Sequence, residues 1–242
     1  MTIPLPSKRP PAEVAEFLEK LKPAPPAAHT AIGRGRLIFA LDATASREPT
    51  WDHACRFQGE MFEATTAFGG LDVQLVYYRG HAECKASRWI ATAAELHRVM
   101  RHVSCVGGET QIERVLSHAI RETGNRKVNA LVFVGDAMEE KLDRLCRLAG
   151  ELGGLGVPIF LFHEAGDPAV AAAFQQLANL SRGACLSFDL ASAERLKTLL
   201  GAVAVYATGG YRALAAYGEK KGSEVRYLTS RLHRKTSVPD VC

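Results

Sequence analysis

Several familiar signatures are missing from this 242-residue chain. It has no G-x-S-x-G elbow, no HExxH pair and no phosphate-cradling GK[ST] after a glycine-rich run, which leaves the common hydrolase, zincin and nucleotide-loop chemistries without their parts. The glycine-rich GRGR at Gly33 to Arg36 precedes an apolar run instead of following one, so it is not a dinucleotide loop. Cysteine is present in an even number, six (Cys55, Cys84, Cys105, Cys146, Cys185 and Cys242), but no two form a CxxC pair. Prolines and charges occupy the opening MTIPLPSKRPP, where an apolar secretory core would stand. Reduced, buried thiols in a cytoplasmic protein are therefore expected. Leu199 to Tyr217 approaches membrane-spanning length, but Gly209, Gly210 and Arg212 interrupt it, and a core helix broken at the glycine pair is the expectation. His53, His97, His102 and His118 fall on helical segments without metal spacing, so they are read as surface or interface residues.

What is present is an ordinary globular composition, 47% hydrophobic and 23% charged, with a formal net charge of +4. The basic residues are spread along the chain except near the C-terminus, so nucleic acid is not indicated as a partner. Residues 1–34 are proline-rich around a short amphipathic helix carrying Val14, Phe17, Leu18 and Leu21 at i, i+3, i+4 and i+7. Residues 218–242 form a basic tail, read as solvated and flexible. Between them, 35–217, short apolar runs alternate with helical patterns: RLIFALD, then a helix through Trp51, Phe57, Met61, Phe62 and Phe68, then LDVQLVYYRG, and so on to the last helix. CKASRWI reads as a short edge strand, and Thr92 as the cap of the helix after it. Strands apolar on both faces, separated by helices, predict a doubly wound α/β fold. Its mainly parallel sheet has helices on both faces and one short antiparallel edge strand. Ligands in such folds sit beyond the carboxyl ends of the strands.

Three loops at those ends are unusual. Asp42, Thr44 and Ser46 follow the first strand, Thr110 sits in GGETQ ahead of a helix, and Asp136 follows VNALVFVG. Hydroxyls and carboxylates are hard oxygen donors that suit Mg²⁺, or Mn²⁺, better than zinc or copper. Gly107 and Gly108 are expected to let the backbone close on the cation.

At this point the chain resembles the von Willebrand factor type A (VWA) domain. Its metal-ion-dependent adhesion site is written D-x-S-x-S, a distant threonine and a distant aspartate; DATAS, GGETQ and VGDA stand in those places here. The middle serine is Thr44 in this chain, which keeps the hydroxyl and adds a methyl group. The resemblance extends from about Arg36 to Tyr206 and implies a bacterial-type intracellular member with a Rossmann-like fold. It implies that Thr44 and Ser46 ligate directly, that Thr110 does so directly or in one state, and that Asp42 and Asp136 hold metal-bound waters. A partner protein's Asp or Glu would complete the coordination, with no catalysis. Intracellular members serve as adaptors, often beside AAA-type ATPases; no membrane partner is implied.

Plainer roles exist for each residue: Asp42 as a turn or cap residue, Thr44 and Ser46 as hydroxyls satisfying backbone groups. Glu109, Glu139 and Glu140 flank the same loops, either as solvated charges or as internal carboxylates competing with a partner. The enzymatic alternative is a Mg²⁺-dependent phosphoaspartyl hydrolase with Asp42 as nucleophile. Such chemistry wants a second carboxylate two positions on, where Thr44 stands. A phosphorylated receiver wants a lysine after the fifth strand, where His163 and Glu164 stand.

Overall fold

Gly35–Asp42 is buried along its whole length and forms strand β1 near the middle of a six-stranded sheet. The computed structural model describes residues 34–66, 69–164, 166–188 and 193–220. The other elements follow in alternation: a single 3-10 turn Ala45–Arg47, α1 Glu48–Thr65, β2 Leu71–Arg79, β3 Glu83–Ala86, α2 Ala93–Met100, α3 Ile112–Asn125 and β4 Ala130–Gly135. They continue with α4 Leu142–Gly154, β5 Ile159–Glu164, α5 Pro168–Leu180, β6 Ala184–Phe188 and α6 Ala193–Lys220. Strand order is β3-β2-β1-β4-β5-β6. Every neighbouring pair is parallel except β2 with β3, so the expected antiparallel edge strand is present.

Side-chain alternation along each strand builds a core on each face. Leu37, Phe39 and Leu41 of β1 pack with Trp51 and Ala54 of α1, Leu96 and Met100 of α2, and Leu200 and Val203 of α6. Ile38 and Ala40 turn the other way, toward Val115 and Leu116 of α3, Leu145 of α4 and Phe174 of α5. α6 lies so close across β1 that a Cβ on Gly35 would stand 2.6 Å from the Thr208 Cα, which explains glycine at the strand's first position.

Local signals read from sequence recur at the helix ends. The Thr92 side chain accepts from the Glu95 amide, and Asp167 caps α5 through the Ala169 amide at 2.7 Å. α1 begins three residues earlier than Trp51, with a proline in its first turn, where a missing amide proton costs nothing. The glycine pair in α6 does break regularity, with Gly210 at φ 63° and ψ −161°. Among the described residues no helix is long and apolar enough to cross a membrane. Phe68, the amphipathic segment in 1–34 and most of the basic tail lie outside the described residues.

Because β2 and β4 flank β1 while the chain leaves β1 first in one direction and then in the other, the strand order reverses there. The crevice at the carboxyl end of β1 and β4 is thus the topological position for a ligand.

Candidate metal centre

Asp42 ends β1, two positions beyond Ala40, and its register partner on β2 is Tyr78. The residue is 3% exposed, and burial raises its carboxyl above the ordinary range, opposed chiefly by hydrogen bonding from Thr44. Asp136 repels it, and no ion pair among the described residues includes Asp42. A buried carboxylate without a cationic partner is costly, about several kcal/mol, unless something positive arrives. Burial and the Asp42 charge likewise push the Tyr78 phenol well up, so it stays protonated.

The turn that follows is held locally. The Thr44 amide donates to Asp42 Oδ1 at 2.7 Å, which confirms a turn role for one carboxylate oxygen. The hydroxyls are another matter: Thr44 stands at the cap of the 3-10 turn, yet its side chain makes no capping bond. Thr44 Oγ1 and Ser46 Oγ face each other at 3.4 Å. Adjacent corners of an oxygen octahedron about Mg²⁺ lie roughly 3 Å apart, so the pair has a spacing such an ion could use. Asp42 and Thr44 are buried and Ser46 is exposed, so the donors run from the buried strand end to the surface.

Thr110 and Asp136 come from separate loops, and each already has partners within the chain. The Thr110 hydroxyl donates to Glu140 Oε2 at 2.6 Å and accepts from the Glu139 amide at 2.9 Å. The Thr110 amide donates to Glu139 Oε2 at 2.7 Å, and Glu140 also receives the Glu113 amide at 3.3 Å. Glu139 and Glu140 are therefore not simply solvated charges: they fasten the Thr110 loop. Glu109, in contrast, is exposed and lies 3.7 Å from His81. Asp136 Oδ2 pairs with Arg47 Nη2 at 2.9 Å, and the mutual repulsion of Asp42 and Asp136 places the two carboxylates in one electrostatic neighbourhood.

Arg47 and Thr50 were not singled out in the sequence, and Glu164 was noted only as standing where a receiver's lysine would be. Arg47 is 8% exposed and also pairs with Glu164 at the end of β5, which the Thr50 hydroxyl joins. The only sequence signal for it is an isolated cation directly after the hydroxyl motif, ahead of a helix start. The expected role for the glycine pair needs correction as well. A Cβ on Gly108 would lie 2.2 Å from the Gly80 carbonyl oxygen, so that glycine answers to backbone packing against the end of β2; a Cβ on Gly107 would meet nothing. The loop is further tied to the site by the Val106 amide, which donates to the Ala43 carbonyl at 3.0 Å.

Of the other titratable groups, His163 is 2% exposed, and burial lowers its pKa, so the ring is neutral. It stands edge-on to Phe174, centroids 5.6 Å apart. Cys55 is buried and Cys105 half-buried, and burial pushes both thiols up to about 11, which makes them inert at neutral pH. His118 bonds Gln74 at 2.8 Å, a structural contact.

Comparison with known proteins gives the architecture a name. No protein-family model and no curated protein matches the sequence. Among solved structures, a von Willebrand factor type A protein from Catenulispora acidiphila superposes with a TM-score of 0.58 at 14% identity, over 70% of this chain and 42% of that one. The SpRpn10 VWA domain gives 0.55 at 13% identity, covering 67% of this chain and 95% of that domain. Proximal thread matrix protein 1 from the mussel byssus, with a zinc-occupied MIDAS motif, gives 0.54 at 16% identity, over 71% of this chain and 48% of its own. This chain thus spans less than half the length of the first and third. The fold is VWA-like, a Rossmann-like mixed sheet.

Proposed function

We propose that this chain is a protein-binding VWA domain in which Asp42, Thr44, Ser46, Thr110 and Asp136 hold a divalent cation, Mg²⁺ or Mn²⁺, for an acidic residue of a partner. The observation that carries the reading is the buried Asp42 carboxylate, which no ion pair among the described residues neutralises, beside two hydroxyls left out of backbone capping. When bound, the cation would supply positive charge and an open coordination position to an incoming carboxylate.

The chain's own residues do the rest. Asp42 and the Thr44 amide fix the turn so that both hydroxyls point together. Glu109, Glu139 and Glu140, on the two loops that carry Thr110 and Asp136, add negative charge to the cation-free face, and such a face repels the carboxylate it is proposed to receive. Recognition would then be conditional on the metal. Val106, 46% exposed in the same loop, offers an apolar contact to a protein surface. Placement in the cytoplasm and service in an AAA-type ATPase assembly belong to the same proposal.

The enzymatic alternative finds less support. A phosphoaspartyl hydrolase needs a second acid two positions beyond Asp42, and Thr44 occupies that position.

The test is retention of proteins on the immobilised chain in Mg²⁺ against chelator, repeated with Asp42→Ala. Partners held only in Mg²⁺ and only by the unaltered chain are expected. A set indifferent to both changes would sink the metal-dependent reading, and turnover of a phosphate-ester panel would favour the hydrolase.

A further inference from the structure

Arg47 immediately follows the last hydroxyl donor, and its side chain is 10% exposed. Its guanidinium forks between two strand ends. Nη2 holds Asp136 Oδ2 at 2.9 Å at the end of β4, while Nη1 holds Glu164 at the end of β5. Thr50, one turn into α1, reinforces the second arm: its hydroxyl donates to the same Glu164 oxygen and lies 3.5 Å from Nη1. Arg47 Nε is buried without a hydrogen-bond partner. One cation therefore serves two carboxylates, of which Asp136 is the more exposed, 27% against 17%.

This asymmetry has a physical consequence. Arg47 can leave Asp136 and still keep an ionic partner in Glu164, so its burial is not stranded. Asp136 has no second cation among the ion pairs of the described residues. A divalent cation that recruits Asp136 competes with the guanidinium for it, because the two positive charges repel and the one carboxylate neutralises only one of them fully. We propose that Arg47 is an internal counter-ion that holds Asp136 in the cation-free protein and passes wholly to Glu164 when the site is loaded, which sets the cation affinity. The inference rests on the preceding metal reading and adds a regulator to it: whatever strengthens the Arg47–Glu164 arm favours loading.

Direct Mn²⁺ titration, read as the free-ion paramagnetic resonance signal, tests this with the unaltered chain, Arg47→Gln and Arg47→Lys at one salt concentration. Arg47→Gln is expected to bind Mn²⁺ about tenfold more tightly, the scale of one charge-assisted hydrogen-bonded pair. Arg47→Lys keeps the charge but cannot fork between two strand ends, so it is expected to tighten binding by a smaller factor. Lysine also tests the alternative of plain charge repulsion, which would leave Arg47→Lys at the unaltered affinity. That result, or a glutamine variant that binds no better than the unaltered chain, overturns the inference while the metal reading stands. Absence of Mn²⁺ binding in all three overturns both. If Arg47→Gln fails to fold, Arg47→Lys alone decides.

Discussion

The two halves of the proposed centre are held in different ways. Asp42, Thr44 and Ser46 lie on one continuous turn, and the bonds that shape it, Thr44 amide to Asp42 and hydroxyl to hydroxyl, span two residues each. Thr110 and Asp136 sit on loops whose fastenings come from far along the chain: Glu140, 30 positions away, for the Thr110 hydroxyl, and Arg47 for Asp136. The near half is preorganised, whereas the far half is satisfied by protein groups that a cation would have to replace. Affinity in such a centre is set less by the ligands themselves than by what their existing partners give up.

The comparison can be broken most directly by removing hydroxyls. Ser46→Ala, at an exposed position whose described contact is Thr44, should abolish measurable Mn²⁺ binding with a stability change within about 0.5 kcal/mol. Thr110→Val should also weaken Mn²⁺ binding, but with a loss of about 1–3 kcal/mol in denaturant unfolding, because it removes the partner of Glu140 Oε2 and of the Glu139 amide. Equal stability costs would show that the halves are not built differently.

A smaller effect concerns Asp42 in chelator. Burial raises its carboxyl in the folded protein, so the folded form holds its proton to higher pH than the unfolded one. The stability this contributes is fully present below the unfolded carboxylate pKa and is lost as pH rises through the folded value. Asp42→Asn, which keeps the oxygen that accepts from Thr44, should therefore raise the metal-free melting temperature near neutral pH and lose that advantage in acid. A melting temperature unchanged at both pH values would mean the carboxylate is not destabilised. The smallest effect is expected from Thr44→Ser, which keeps the hydroxyl and removes the methyl: Mn²⁺ affinity should stay within a few-fold. A large change would mean that the buried methyl positions the turn.

Much of the fold was legible in the chain. Leu37 to Leu41 in β1 and Ala130 to Val134 in β4 are buried and read directly as apolar runs, and the Thr92 cap and the break in the last helix follow from residue type. The antiparallel edge strand was legible too, though Glu83–Ala86 shares only Cys84 to Ala86 with the CKASRWI segment that suggested it; Ile90 makes just an isolated bridge to Val73. The near half of the centre was visible because its spacing is a property of one short peptide. The far half was visible only as candidate donors, since nothing in Thr110 announces Glu140. Gly108 shows how the right residue can be singled out for the wrong reason: its contact is the Gly80 backbone, which local reading cannot see.

By itself, the sequence determined the alternation of strand and helix, hence a parallel sheet whose loops gather donors at one end, because hydrophobic periodicity is a local property that backbone geometry converts into faces. Only the tertiary structure decided which acid receives which partner. Arg47 reaches Glu164 across 117 positions and Asp136 on a third loop. Such pairings depend on distances set by the packed sheet, and no short stretch of chain carries them.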